Sequence, residues 1–128
     1  MFEILPESTD TCIGFKISGK VIAEDYDILL PKLDAAIATH GKINLLVVIE
    51  NFEGWDGIEA AKADFQFGKH QYRQVEKAAF VSDKKWLEWS VKIMDPFTRR
   101  TKEKNFEPHQ LKDAWAWVLG EKEYLFKT

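Results

Sequence analysis

The stretch Ile43 to Ile49 constrains the fold most: it is almost wholly apolar, rich in β-branched residues, and uninterrupted by a polar side chain from Leu45 to Ile49. A strand with one wet face alternates polar and apolar residues, so a run of this kind belongs in the interior of a sheet covered on both faces. The segments around it have helical periodicity. From Glu24 to His40 the apolar positions Tyr26, Leu29, Leu30, Leu33, Ala36 and Ile37 fall on one stripe, with Glu24, Asp25 and Asp27 at the electropositive start and Gly41 as a stop. Pro31 lies inside this stretch and predicts a kink or break near Leu30.

After a loop over Asn51 to Gly57, a second helix carries Ile58, Ala61, Phe65, Gly68 and Tyr72 at spacings of three and four, with Phe67 projecting opposite that stripe. A strand follows at Lys77 to Val81. Ser82 or Asp83 then caps a helix reaching about Asp95, which Pro96 stops. Thr101 to Phe106 reads as a charged edge strand, and Pro108 opens a last helix through Leu119, ended by Gly120. At the other end, Ile13, Phe15 and Ile17 alternate with Gly14, Lys16 and Ser18, and Phe2 to Leu5 offers an antiparallel partner across Pro6-Glu-Ser-Thr-Asp10. The order β-β-α-β-α-β-α-β-α predicts an α/β domain with a mostly parallel sheet of about five strands and an antiparallel N-terminal edge hairpin.

A chain of 128 residues buries about 70% of its unfolded surface as one domain, and nothing in the sequence divides residues 1–128. Cys12 is the single cysteine, so no intrachain disulfide forms. The basic and apolar regions of a leader and any apolar run of membrane-spanning length are missing from the sequence, and a cytoplasmic location is expected. Charge is unevenly placed: residues 1–64 hold 5 basic and 12 acidic side chains, whereas 65–128 hold 13 basic and 9 acidic. That asymmetry predicts an oriented surface field and not a nucleic-acid binder, which needs a far more basic domain.

The stretches Gly19-Lys-Val-Ile-Ala-Glu-Asp-Tyr26, His40-Gly-Lys-Ile-Asn-Leu-Leu-Val47, Phe52-Glu-Gly-Trp55, Asp83-Lys-Lys-Trp-Leu-Glu-Trp89 and Ala114-Trp-Ala-Trp117 resemble the bacterial SpoIIAA-like proteins, fold relatives of STAS domains. The resemblance spans Phe15 to Leu119 and implies a STAS-like fold. STAS anti-sigma-factor antagonists are switched through a phosphorylatable Ser in the loop that follows the strand corresponding to Ile43–Glu50. Here that loop, Asn51 to Gly57, has no Ser or Thr, and only Glu53 and Asp56 could supply standing negative charge.

Ligands usually dock at the carboxyl ends of parallel strands. The predicted crevice there is formed by Glu53, Trp55, Asp56, Asp83, Lys84, Lys85 and Trp86; the alternative is capping by Asp56, Ser82 or Asp83 together with packed indoles. In the helix over 83–95 the apolar residues, with Phe97 just beyond, spread over an arc of about 200°, wider than a helix packed on one sheet needs. The rings Phe67, Trp89, Phe97 and Trp117, with Met94, are therefore expected either to form a partner surface or to be covered as core. His40, His70 and His109 have no metal spacing, and no nucleophile elbow, phosphate loop or dinucleotide fingerprint is present. No cofactor is expected. The leading expectation is a non-catalytic interaction module binding another protein or itself, with a homodimer as one form. The alternative is a carrier of an apolar small molecule or lipid, as in CRAL-TRIO-like fold relatives, and the third is an enzyme using Glu53.

Overall fold

The computed structural model describes residues 1–82 and 102–120. Five strands, β1 (Phe2–Ile4), β2 (Cys12–Val21), β3 (Ile43–Trp55), β4 (Val75–Val81) and β5 (Lys102–Phe106), lie side by side in chain order. β1 runs antiparallel to β2, and every later pairing is parallel. The expected architecture is therefore the observed one. The helix expected over 83–95 lies outside the described residues.

Helices α1 (Tyr26–His40) and α2 (Gly57–Lys69) follow β2 and β3, and α3 (Leu111–Leu119) follows β5. Alternation along the strands sorts their side chains to two faces. Ile13 and Phe15 of β2, Ile43, Leu45, Val47 and Ile49 of β3, and Val75, Ala78 and Phe80 of β4 share a core with Leu29 and Leu33 of α1 and Phe67 of α2. Cys12, Leu46, Ala79 and Val81 face the other way and pack with Phe106, Ala114 and Val118. β3 is thus buried on both faces, as its unbroken apolar run requires.

Pro31 does not break α1, which is continuous from Tyr26 to His40. Its ring lies on the exposed side, and the leucines flanking it, Leu29 and Leu33, are both fully buried. Two such side chains contribute about 1.5–3 kcal/mol each, enough to offset the ~3 kcal/mol that an interior proline costs.

The segment Asn51 to Trp55 is not a loop. β3 continues through it and stays paired with β2, but Phe52 opposes Gly19 and Gly54 opposes Lys20, so Asn51 and Glu53 are extra residues in two successive bulges. Asn51 (φ 53°) and Gly54 (φ 101°) take the left-handed conformations these bulges need, which Asn and Gly adopt at least cost. A third irregularity skips Glu76 between β3 and β4. There the Asn44 side chain accepts from the Lys77 N–H (3.0 Å) and donates to the Val118 carbonyl (2.9 Å), tying the sheet to the end of α3.

Candidate functional site

The bulged end of β3 sets the geometry of the α1–α2 side. Only Asp56 separates β3 from α2, and its N–H donates to the Val21 carbonyl at the end of β2 (2.7 Å). Next to it the β2–α1 turn is closed by the buried Asp25, whose carboxylate accepts from the Ile22 N–H at 2.8 Å. The starts of α1 and α2 are consequently held side by side.

Between them runs a polar lock. The Tyr26 hydroxyl donates to Asp64 Oδ1 at 2.6 Å, and the Trp55 indole N–H donates to the Tyr26 oxygen at 3.2 Å. One residue from α1, one from α2 and one from β3 therefore share a single network. Burial pushes the Asp64 carboxyl above its ordinary value, and hydrogen bonds from Tyr26 and Trp55 offset only part of this. Burial, and then the neighbouring Asp64, push the Tyr26 hydroxyl far up, so it remains a donor at all ordinary pH.

Above this lock lies an open groove of about 850 Å³. Leu30 of α1 and Ile58, Ala61 and Phe65 of α2 supply its apolar lining, and Asp27 and Glu59 its acidic edge. Ile58 is 73% exposed, Phe65 56%, and Ile28, which adjoins Asp27 on α1, 58%. Ile58 and Phe65 stand seven residues apart, so they share one side of α2 about 10 Å from each other.

These positions correct part of the sequence reading. Ile58, Ala61 and Phe65 of the expected stripe do not face the core, whereas Gly68 is buried and Tyr72, which lies beyond the end of α2 in a 3-10 turn, is buried too. Phe67, expected as a candidate partner residue, is 7% exposed and joins a chain of rings with Tyr26 (6.4 Å) and Tyr72 (6.0 Å). The rotation follows from what fits inside: Ala60 is fully buried, Asp64 turns in to meet Tyr26, and both lie on the Phe67 side of α2.

Of the expected crevice, Glu53 and Asp56 are exposed at the end of β3, with the Glu53 carboxylate lying over Gly19. Trp55 is half-buried, packed edge-on against Phe52 (5.2 Å) and committed to Tyr26, and Asp56 makes no side-chain cap of α2. Asp83, Lys84, Lys85 and Trp86 fall outside the described residues, as do Trp89, Met94 and Phe97. Trp117 is half-buried on the opposite face, 6.2 Å from the Phe106 ring and with the Lys77 ammonium 5.4 Å above its own ring. It does not adjoin the groove.

Sequence reasoning missed Tyr26, Asp64, Ile58 and Phe65 as site-forming residues. Asp64 carried a signal: it stands between Ala60 and Phe67 on the side of α2 that a buried residue would share, and a carboxylate there needs a donor. No helix among the described residues is long and apolar enough to cross a membrane.

Comparison with known proteins agrees with this architecture. The SpoIIAA-like family profile matches residues 12–119. A crystal structure from Shewanella loihica, an uncharacterised protein of the DUF3478 family with a SpoIIAA-like fold, superposes with a TM-score of 0.70 at 28% identity, covering 91% of this chain and 93% of that one. No curated protein matches the chain. The match over residues 12–119, on a sheet whose strand order and mixed pairing agree with it, makes the chain a member of the SpoIIAA-like family.

Proposed function

We propose that this chain is a non-catalytic, STAS-like protein-interaction module whose contact surface is the groove between α1 and α2. One observation carries the reading: Ile58, 73% exposed, stands beside the 56% exposed Phe65 on the same side of α2, and both line an open trough. Large apolar side chains repeated at a helical interval outside the core mark an interaction surface. The trough suits an elongated apolar surface of a protein better than a small lipid, which a carrier encloses over about 70–90% of its surface.

The network beneath the groove supports a binding role. Asp64 and Tyr26 satisfy each other, and the pair acts as a brace between elements. The Asn51–Gly57 segment has no hydroxyl side chain, and most of it is paired strand, which favours a module without the phosphorylation switch of the anti-sigma-factor antagonists.

A selection from a library of randomised helical peptides, run in parallel on the wild-type chain and on Ile58→Asp, tests the reading. Enriched peptides that bind the wild type and lose at least about tenfold in affinity on Ile58→Asp are expected. A selection giving no peptide whose binding depends on Ile58 overturns it. Native mass spectrometry distinguishes the carrier reading: an added mass of a few hundred daltons that disappears on denaturation would favour it.

A further inference from the structure

Resting on the reading of the groove as a protein-binding surface, we infer that its occupant is a cationic amphipathic helix, with Lys or Arg flanking an apolar stripe. The apolar half of the argument is the shape. Two packed helices leave a trough, and the Ile58/Phe65 pair, about 10 Å apart, matches the two-turn repeat of a helix laid along it. A strand would need a free sheet edge, and both β2 and β3, the strands nearest the trough, are paired on each side.

The cationic half is the charge around the trough. Residues 23–64, which contain α1, β3 and the start of α2, hold nine acidic and three basic side chains. Asp27 and Glu59 line the groove, Glu24 adjoins the lining residue Ala23, and Asp56 precedes α2; Lys62 is the basic residue of the lining. Glu24, Asp27, Asp56 and Glu59 are all exposed and take part in no ion pair among the described residues. The two helix N-termini each supply about +0.5 of charge, which leaves the rim negative. A basic partner gains from that field in encounter rate and in choice of sequence. An anionic membrane surface is repelled by it.

Two synthetic helical peptides test the inference: both carry Leu at positions 1, 4, 8 and 11, one with Lys and Arg elsewhere, the other with Glu. Binding to the full chain is measured by fluorescence anisotropy at low and high salt, and flotation with phosphatidylglycerol vesicles is run alongside. The expected result is binding of the cationic peptide at least about tenfold tighter than the acidic one at low salt, with the preference largely lost near 1 M salt, where the Debye length is ~3 Å. Asp27→Asn with Glu59→Gln should reduce the preference while circular dichroism stays unchanged, and Ile58→Asp should remove binding of both peptides. Equal binding of the two peptides, preference for the acidic one, or vesicle binding in place of peptide binding overturns the inference. If both peptides bind equally and Ile58→Asp abolishes both, the interaction-module reading stands and only the cationic partner is wrong; if no peptide bound by the chain depends on Ile58, the groove reading itself fails.

Discussion

The two faces of the sheet are closed in different ways. On the α3 face the fit is steric: Gly14 leaves so little room that a Cβ there would lie 2.6 Å from the Trp115 ring. The α1–α2 face has the larger apolar core among the described residues, and its outer margin is held by a hydrogen-bonded lock, Tyr26–Asp64–Trp55, which keeps two helices together without filling the trough above them. Steric closure at Gly14 leaves no space for an added group there, whereas a polar brace fixes positions and leaves an opening. The difference explains how the walls of the groove on the α1–α2 face are held in place.

The comparison is sharpened by substitutions that act on each device. The largest effect is expected from Leu33→Ala, which empties the α1 core: a loss of about 2–5 kcal/mol in urea unfolding. Gly14→Ala should cost about 1–3 kcal/mol through overpacking, and adding Trp115→Leu should recover part of it; additive losses would show that the contact is not what closes that face.

Asp64→Asn tests the lock through pH. The folded-state pKa of Asp64 is raised, so the native state holds the proton more tightly than the unfolded chain, whose carboxyl titrates near ~3.9. Its contribution is most favourable below that value and declines as pH rises through the raised folded pKa, above which it is flat. Asp64→Asn should therefore remove this decline, and its stability relative to the wild type should climb across that window in pH-dependent melts. Parallel curves would mean that the carboxyl is not buried as described.

The smallest effect on folding is expected at Ile58, where substitution by Asp should change stability by no more than ~0.5 kcal/mol. A loss of several kcal/mol would place Ile58 in a core and remove the groove.

Much of the fold was legible because it depends on local periodicity. The apolar run of β3, the alternation in β2 and the leucine stripe of α1 each identify an element and, for β3, its place inside the sheet. The segment 51–55 was not legible as strand, since Asn and Gly are also what a turn uses; here Asn51 and Gly54 give the positive φ of two bulges. The inward face of α2 was ambiguous for another reason. Apolar residues occur on both its sides, and the choice depends on Ala60 fitting closely and on Asp64 finding Tyr26, 38 residues earlier. Neither constraint is local, so Ile58, Ala61 and Phe65, expected in the core, are surface, while Gly68 and Tyr72 of the same stripe are buried.

The single residue between β3 and α2 has a consequence for recognition. Because Asp56 is itself tied by its backbone to Val21, the proposed binding of a helix in the groove would leave most of the ordering entropy to the guest. A hydrocarbon-stapled version of a binding helix should thus outbind its flexible parent by about the cost of making that helix in water, with the protein contributing the same enthalpy to both.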